Sequence, residues 1–418
     1  MRRAAVRAGT GTFWTRDFLL ALSGFFFMFL AVSLFFLFPV VLAGFGPQQS
    51  RIGLIMGVSS VVAIAARPIF GRSIDARGGR RIALGGCLLL AATVPLFHFV
   101  RDAGWLPLAL RAMMGVGWGV GMTATIALCS DLAPADRLAK SMGVIGVAGL
   151  VANAVGPLLA EELLRRSGPG ALYNASLAFL LVALALIMRT REAPRPTGAG
   201  AGAGGEGAGA GTGKGTGAGA GAGARGGAKA LRAAPWVLAA IIGGMPVFHG
   251  AIRGAMINFI AVFGNSVGIA RVGSFFLVFS AAAILTRFRL GDLSDRKGRK
   301  AVILPAALII AANLFLIAQV RGLPLLVVTG FVGGIGQGLI FPALSTYIID
   351  FLGRENKGLA IGLYNSLFDV GMGLGSPLFG WVSDVAGYRW MYRIAALFLL
   401  AATAVFMAKA PNGVKPTS

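Results

Sequence analysis

Asp369, Arg253, His249 and Arg111 are the residues of this 418-residue chain that could do chemistry, because each interrupts a long apolar run. A charge inside hydrocarbon is costly, so it usually faces a water-filled cavity or a partner and marks the path of a solute or a proton. His249 and Arg253 are four apart and share one face of a helix. Counting about 1.5 Å per residue from the basic ends of their segments puts His249 at ~21 Å and Asp369 at ~18 Å, so they lie at similar depth. The expected arrangement is a titratable centre of Asp369 beside Arg253 and His249. Desolvation opposes the charged carboxylate and a guanidinium favours it, so a bound solute could tip the balance and couple its own movement to a proton. A permanent structural pair of Asp369 with Arg253, and a His249 that only packs, fit the same spacing. Arg111 is expected to reach the same cavity from another segment and to hold an anionic group or relay a proton. Asn153, Gln337 and Asn365 are expected to line it. His98, Glu161 and Glu162 fall near segment ends and read as interfacial. The interior set is more basic than acidic, which favours an anionic or zwitterionic solute over a lipophilic cation.

The elements that would position these groups are membrane spans. Hydrophobic residues make up 56% of the chain and charged ones 13%, a composition no soluble core needs. Segments of about 20 apolar residues, long enough to cross ~30 Å of hydrocarbon, recur twelve times. Six lie between residues 18 and 188 and six between 235 and 408. The expected architecture is therefore an all-α membrane protein of 12 transmembrane helices in two six-helix bundles, residues 1–190 and 233–418. Residues 191–232 join them as a flexible linker, dominated by the Gly/Ala tract Pro196 to Ala230. The N-terminal segment is basic and runs into an apolar stretch too long for a signal-peptide core, so it reads as the first span.

The net charge of +23 would suggest nucleic acid if the cations formed a face, but they sit in the breaks between apolar runs. Most fall in loops on one side, which places both termini in the cytoplasm. Trp14, Trp105, Trp236, Trp381 and Trp390 all lie near span ends, as an interfacial aromatic belt requires. Cys87 and Cys129 lie within apolar runs and read as packing residues, with no disulfide framework or metal site.

The two groups of six also repeat each other at an offset of about 220 residues. Arg67, Gly71, Asp75, Gly78 and Arg80 recur as Arg287, Gly291, Asp295, Gly298 and Lys300. Gly115, Gly117, Gly119, Asp131, Gly143 and Gly156 recur as Gly334, Gly336, Gly338, Asp350, Gly362 and Gly375. Glycine matches come cheaply in a chain with 63 glycines, but Arg, Asp and a basic cluster in one register do not. The stretch Gly291-Asp-Leu-Ser-Asp295-Arg296-Lys297-Gly298-Arg299-Lys300 resembles the G-x-x-x-D-R-x-G-R-K signature of the major facilitator superfamily, found after the second helix of a half. The earlier copy from Gly71 to Arg81 departs from it at Ala76, where a basic residue is usual. The resemblance implies pseudo-symmetric halves moving about a shared cavity. It also implies that Gly71, Asp75, Gly78, Arg80, Gly291, Asp295, Arg296, Gly298 and Arg299 form a cytoplasmic gate latch, paired with Asp131 and Asp350. In the latch Gly71 and Gly291 would let helices approach closely. Arg111 followed by Gly115, Gly117 and Gly119 is similar to the family's fourth-helix motif. Gly143, Gly156 and Pro157 match part of its fifth-helix antiporter motif, with Ala152, Ala160 and Glu161 where glycines are usual, which leans toward export.

No Walker-type phosphate loop, metal-ligand cluster or nucleophile set is present in the sequence, so an enzyme is not expected and no cofactor is called for. The expected function is secondary transport of a small molecule by alternating access, as proton-coupled efflux of a drug or metabolite from a monomer in the inner membrane. An importer or uniporter of the same fold is the alternative, and a non-transporting membrane receptor a remote one.

Overall fold

The computed structural model describes residues 14–133, 138–191, 236–291, 293–353 and 357–411, without the side chains of 67–77, 138–140, 236–239, Asp295 and 357–358. The 191–232 linker beyond Arg191, and the side chains of Gly71, Asp75 and Asp295 from the expected latch, lie outside the described residues. Among the described residues, eleven helical segments are long and apolar enough to cross a membrane. In the first half they are α1 (Arg16–Ala43, with a 3-10 turn at Leu34–Leu37), α2 (Gln49–Arg77), α3 (Gly79–Phe99), α4 (Trp105–Leu132), α5 (Leu138–Ser167) and α6 (Pro169–Arg189). The second half has α7 (Trp236–Ser266), α8 (Gly273–Leu290), α9 (Arg299–Ile317) and α10 (Leu323–Leu352). The last segment, Lys357–Lys409, is 53 residues long and is broken at Gly387, whose φ of 80° only glycine adopts freely. Its parts before and after the break are α11 and α12. Counted separately, they make the twelve spans that the sequence predicts.

The apolar composition of these helices gives them little reason to associate in lipid, so close backbone approach must do it. The repeated glycines are where this happens. A Cβ on Gly119 would lie 2.9 Å from the Ala63 carbonyl of α2, and one on Gly338 would lie 3.0 Å from the Ala283 carbonyl of α8. One turn away, Gly115 meets Ser59 and Gly334 meets Phe279. On the next face Gly117 meets Leu90 and Gly86 of α3, and Gly336 meets Ile310 and Ile309 of α9. Ala63, Ser59 and Leu90 recur as Ala283, Phe279 and Ile310, within one residue of the offset that relates the glycines, so the repeat is a repeat of helix packing.

Between the halves, α2 packs on α11 and α5 packs on α8, the same pairing with the halves exchanged, and the end of α1 meets α7. The helix ends form two faces, a basic one carrying the loops after α2 and α8, and an opposite one carrying turns such as 44–48 and 267–272. Gly53 abuts Ser376, Gly57 abuts Gly373, Gly380 abuts Gln49, and Phe36 meets Phe276 with ring centroids 6.0 Å apart. These contacts between the halves lie between the opposite face and the middle of the helices.

Candidate functional site

His249 sits on α7 between two polar partners, 1% exposed. Its Nδ1 is 3.1 Å from the Tyr364 hydroxyl of α11, and its Nε2 is 3.0 Å from Oε1 of Gln337 on α10. The ring also lies edge-on to Phe368, centroids 5.1 Å apart. Three helices thus meet at one imidazole, and both of its hydrogen bonds are made by buried side chains, where the low local dielectric strengthens them. The bond from Gln337 Oε1 calls for a proton on Nε2, which leaves Nδ1 to accept from Tyr364 in the neutral ring. A cavity of about 10 Å³ adjoins the cluster, lined by His249, Arg253, Asn313 and Gln337 among others, with room for about one water. Asn313 Oδ1 is buried without a hydrogen-bond partner beside it.

Arg253 is one turn further along α7, and its guanidinium lies 4.4 Å from the centroid of the Phe279 ring on α8. Arg287 of α8 lies similarly over Phe341, 5.3 Å from its centroid. Among the described residues neither guanidinium makes an ion pair with a carboxylate. The structure therefore does not bring Asp369 and Arg253 together as a pair, because the Phe279 ring holds the guanidinium toward α8. Asp369 is half-buried on α11, close enough to Tyr364 for its charge to act on the hydroxyl, and it makes a further interaction of its own. Asn365 is half-buried next to Tyr364 in the chain.

Arg111 is held apart from this cluster. It is buried against α2, where one of its terminal nitrogens donates to Ser59 Oγ at 3.1 Å and to the Met56 carbonyl at 3.5 Å. Its Nε has no partner. Asn153 on α5 is half-buried, with its Oδ1 also unpartnered.

At the basic face, Arg299 Nε donates to Asp350 Oδ2 at 2.8 Å, with the two side chains 11% and 10% exposed, and Arg299 also donates to Ser294 Oγ at 3.1 Å. Arg296 is exposed. Asp131, at the matching place on α4, is exposed and makes an interaction of its own. Gly78 and Gly298 precede α3 and α9 with φ of 96° and 91°, so the second glycine of each copy is a backbone requirement. Gly291 differs from the close approach expected of it. Among the described residues, a Cβ there would meet only the Arg287 carbonyl of its own helix within 4 Å.

Sequence reasoning missed two features. Tyr364 carries neither charge nor amide to mark it in the sequence, although a phenol inside hydrocarbon needs a partner as those groups do. The last cation of each signature copy caps a helix end. Arg80 donates to the carbonyls of Ile187, at 3.2 Å, and Met188 at the end of α6, and Lys300 donates to those of Met407, at 3.1 Å, and Ala410 at the end of α12. The signal was the repeat itself, since a cation at a helix C-terminus satisfies carbonyls left without intrahelical donors.

Residues 20–320 and 247–418 match the model of the Major Facilitator Superfamily. The staphylopine export protein of Staphylococcus aureus is 21% identical over 371 residues, 88% of this chain and 89% of that protein. The multidrug resistance protein MdtG of Serratia proteamaculans is 24% identical over 398 residues, 93% and 92% of the two chains. Among solved structures, a bacterial homologue of the human lysosomal transporter Spinster, in an inward-facing and unoccupied conformation, superposes with a TM-score of 0.75 at 16% identity, over 96% of this chain and 97% of that one. The human organic anion transporter MFSD10 gives 0.64 at 18% identity, over 94% and 99%. At those identities the structures speak for the fold alone.

Proposed function

The chain belongs to the major facilitator superfamily, a multi-pass membrane transporter rather than an enzyme, and we propose that it exports a small organic molecule in exchange for protons by alternating access. One observation carries this reading. Among the described residues the halves meet at the opposite face and at mid-depth, with Gly380 on Gln49, Gly53 on Ser376, Gly57 on Gly373 and Gly273 on Leu158, through α2 on α11 and α5 on α8. Two bundles in contact at one end can rock about that contact and expose a central site to the other side. With the basic face and both termini in the cytoplasm, this conformation opens inward.

In this reading the halves 1–190 and 233–418 move as units within a monomer in the inner membrane, tethered by the 191–232 linker. Arg299 with Asp350, together with the other signature residues, latches the cytoplasmic face when it closes. His249, Tyr364, Gln337 and Asp369 form the centre whose proton occupancy changes with solute, and Asn365 and Asn153 line the path. Arg253 supplies the charge for an anionic or zwitterionic solute, because its guanidinium has no carboxylate among the described residues. Arg111, bonded to α2, steadies the first half. Export is favoured by the relatives named for export and multidrug resistance.

The test uses proteoliposomes with the basic face outward and a panel of carboxylate-bearing and cationic solutes. An acidic lumen should drive solute inward with proton efflux, and His249→Ala and Asp369→Asn should uncouple the two. Uptake indifferent to the pH gradient would make the protein a uniporter, and solute expulsion under the same gradient would make it an importer.

A further inference from the structure

Two helices begin without a cap of their own. The residue before α8 is Val272, which makes no side-chain cap bond, and the sequence before α2 is Gly46-Pro47-Gln48, which offers none of the short oxygen-bearing side chains that usually cap. Each helix start has unpaired N–H groups and a partial positive charge. In both cases the opposite half supplies the acceptor. Asp384, near the end of α11, accepts from the N–H of Gln49 at 2.5 Å and of Ser50 at 2.9 Å. Glu161, near the end of α5, accepts from the N–H of Gly273 at 2.5 Å. Its neighbour Glu162 is occupied within α5 by Arg165 and Arg166, which leaves Glu161 to reach across.

The two contacts are related by the same exchange of halves as the helix pairs that carry them, α11 to α2 and α5 to α8. They sit where the backbones are already in contact. A Cβ on Gly380 would strike Gln49, and one on Gly273 would lie 3.1 Å from the Leu158 Cα. Neither cap can survive separation of the halves at this face, because donor and acceptor belong to different halves.

We propose that Glu161 and Asp384 are positioning residues of the transport cycle, borrowed N-caps that hold the face opposite the basic one shut and are released when it opens. Water can take their place once the halves part, so each cap sets a population and does not lock a state. Asp384 is exposed and Glu161 half-buried, so solvent screening makes Glu161 the stronger of the two.

The inference rests on alternating access, and the test separates the two. Spin labels at Phe45→Cys and Gln319→Cys, exposed positions on the same face in different halves, report its opening by their distance distribution in a background of Cys87→Ser and Cys129→Ser. If the unaltered protein shows a single distance with and without solute and across pH gradients, alternating access itself fails. If it shows two, Glu161→Ala should raise the ratio of open to closed by about tenfold, Asp384→Ala by about threefold, and the double variant by about their product. Glu161→Gln, which keeps an acceptor, should lie between. Solute affinity measured from the cytoplasmic face should weaken in step with the lost closed population, while thermal stability of the solubilised protein falls by no more than the loss of the caps accounts for. An unchanged ratio in the folded double variant overturns the proposal, whatever the change in its unfolding temperature.

Discussion

Where the first half sets the Phe29 ring edge-on against Trp118, centroids 4.8 Å apart, the second half, about 220 residues on, sets His249 against Gln337 at 3.0 Å. The helices are the same pair in the repeat, α1 with α4 and α7 with α10. Around them the scaffolds agree, with glycines meeting matched partners and a cation capping the last helix of each half. The interiors do not. The first is filled by aromatic rings, Phe35, Phe38, Phe97 and Tyr173 among them, and the second by a bonded imidazole, a phenol and two guanidinium groups over rings. Packing that must recur for both halves to fold leaves the contents of each bundle free to differ, and the chemistry has gathered in one.

That contrast can be broken most severely at its centre. His249→Phe should reduce transport more than tenfold, and by stranding Gln337 and Tyr364 it should cost about 2 kcal/mol. Adding Gln337→Trp rebuilds the pair of the first half, so thermal unfolding should return toward the starting value while transport stays lost. Recovery of transport would mean the polar pair only packs. The next effect is at Arg299. Arg299→Ala should cost on the order of 2 kcal/mol by leaving Asp350 nearly buried without its ion, and Arg299→Met with Asp350→Leu should recover most of it, as read by chemical denaturation. Gly119→Ala and Gly338→Ala should each cost about 1 to 2 kcal/mol, because a methyl group would press on a carbonyl of the neighbouring helix. Equal losses in the two halves would sharpen the view of a shared scaffold, and a loss in one alone would break it. The smallest effect is at the helix caps, where Arg80→Ala and Lys300→Ala should each lower stability by about 0.5 kcal/mol.

Much of this was legible beforehand. The twelve spans followed from run lengths, the halves from the offset of matched Arg, Asp and Gly, and the pairing of the signature with Asp350 from resemblance. His249 and Gln337 both read in the sequence as interior polar residues, but nothing in their spacing says that they touch each other or that His249 also meets Tyr364. Asp369 shares its expected depth with His249, one turn from Arg253, but the helix rotation that turns Arg253 onto Phe279 is set by packing at Gly250 and Gly254 against α11. Glu161 reads in the sequence as an ordinary interfacial carboxylate and Asp384 gives no signal at all, because their partners are backbone N–H groups, which no side-chain pattern reveals.

The sequence by itself determined that this chain crosses a membrane in two related sets of helices and which polar residues enter the hydrocarbon, because the cost of leaving water is paid residue by residue along the chain. Only the tertiary structure decided which of those residues meet, that the halves close on one face, and that each half caps a helix of the other. Those outcomes depend on the rotation and depth of helices packed against one another, and hydropathy is blind to both.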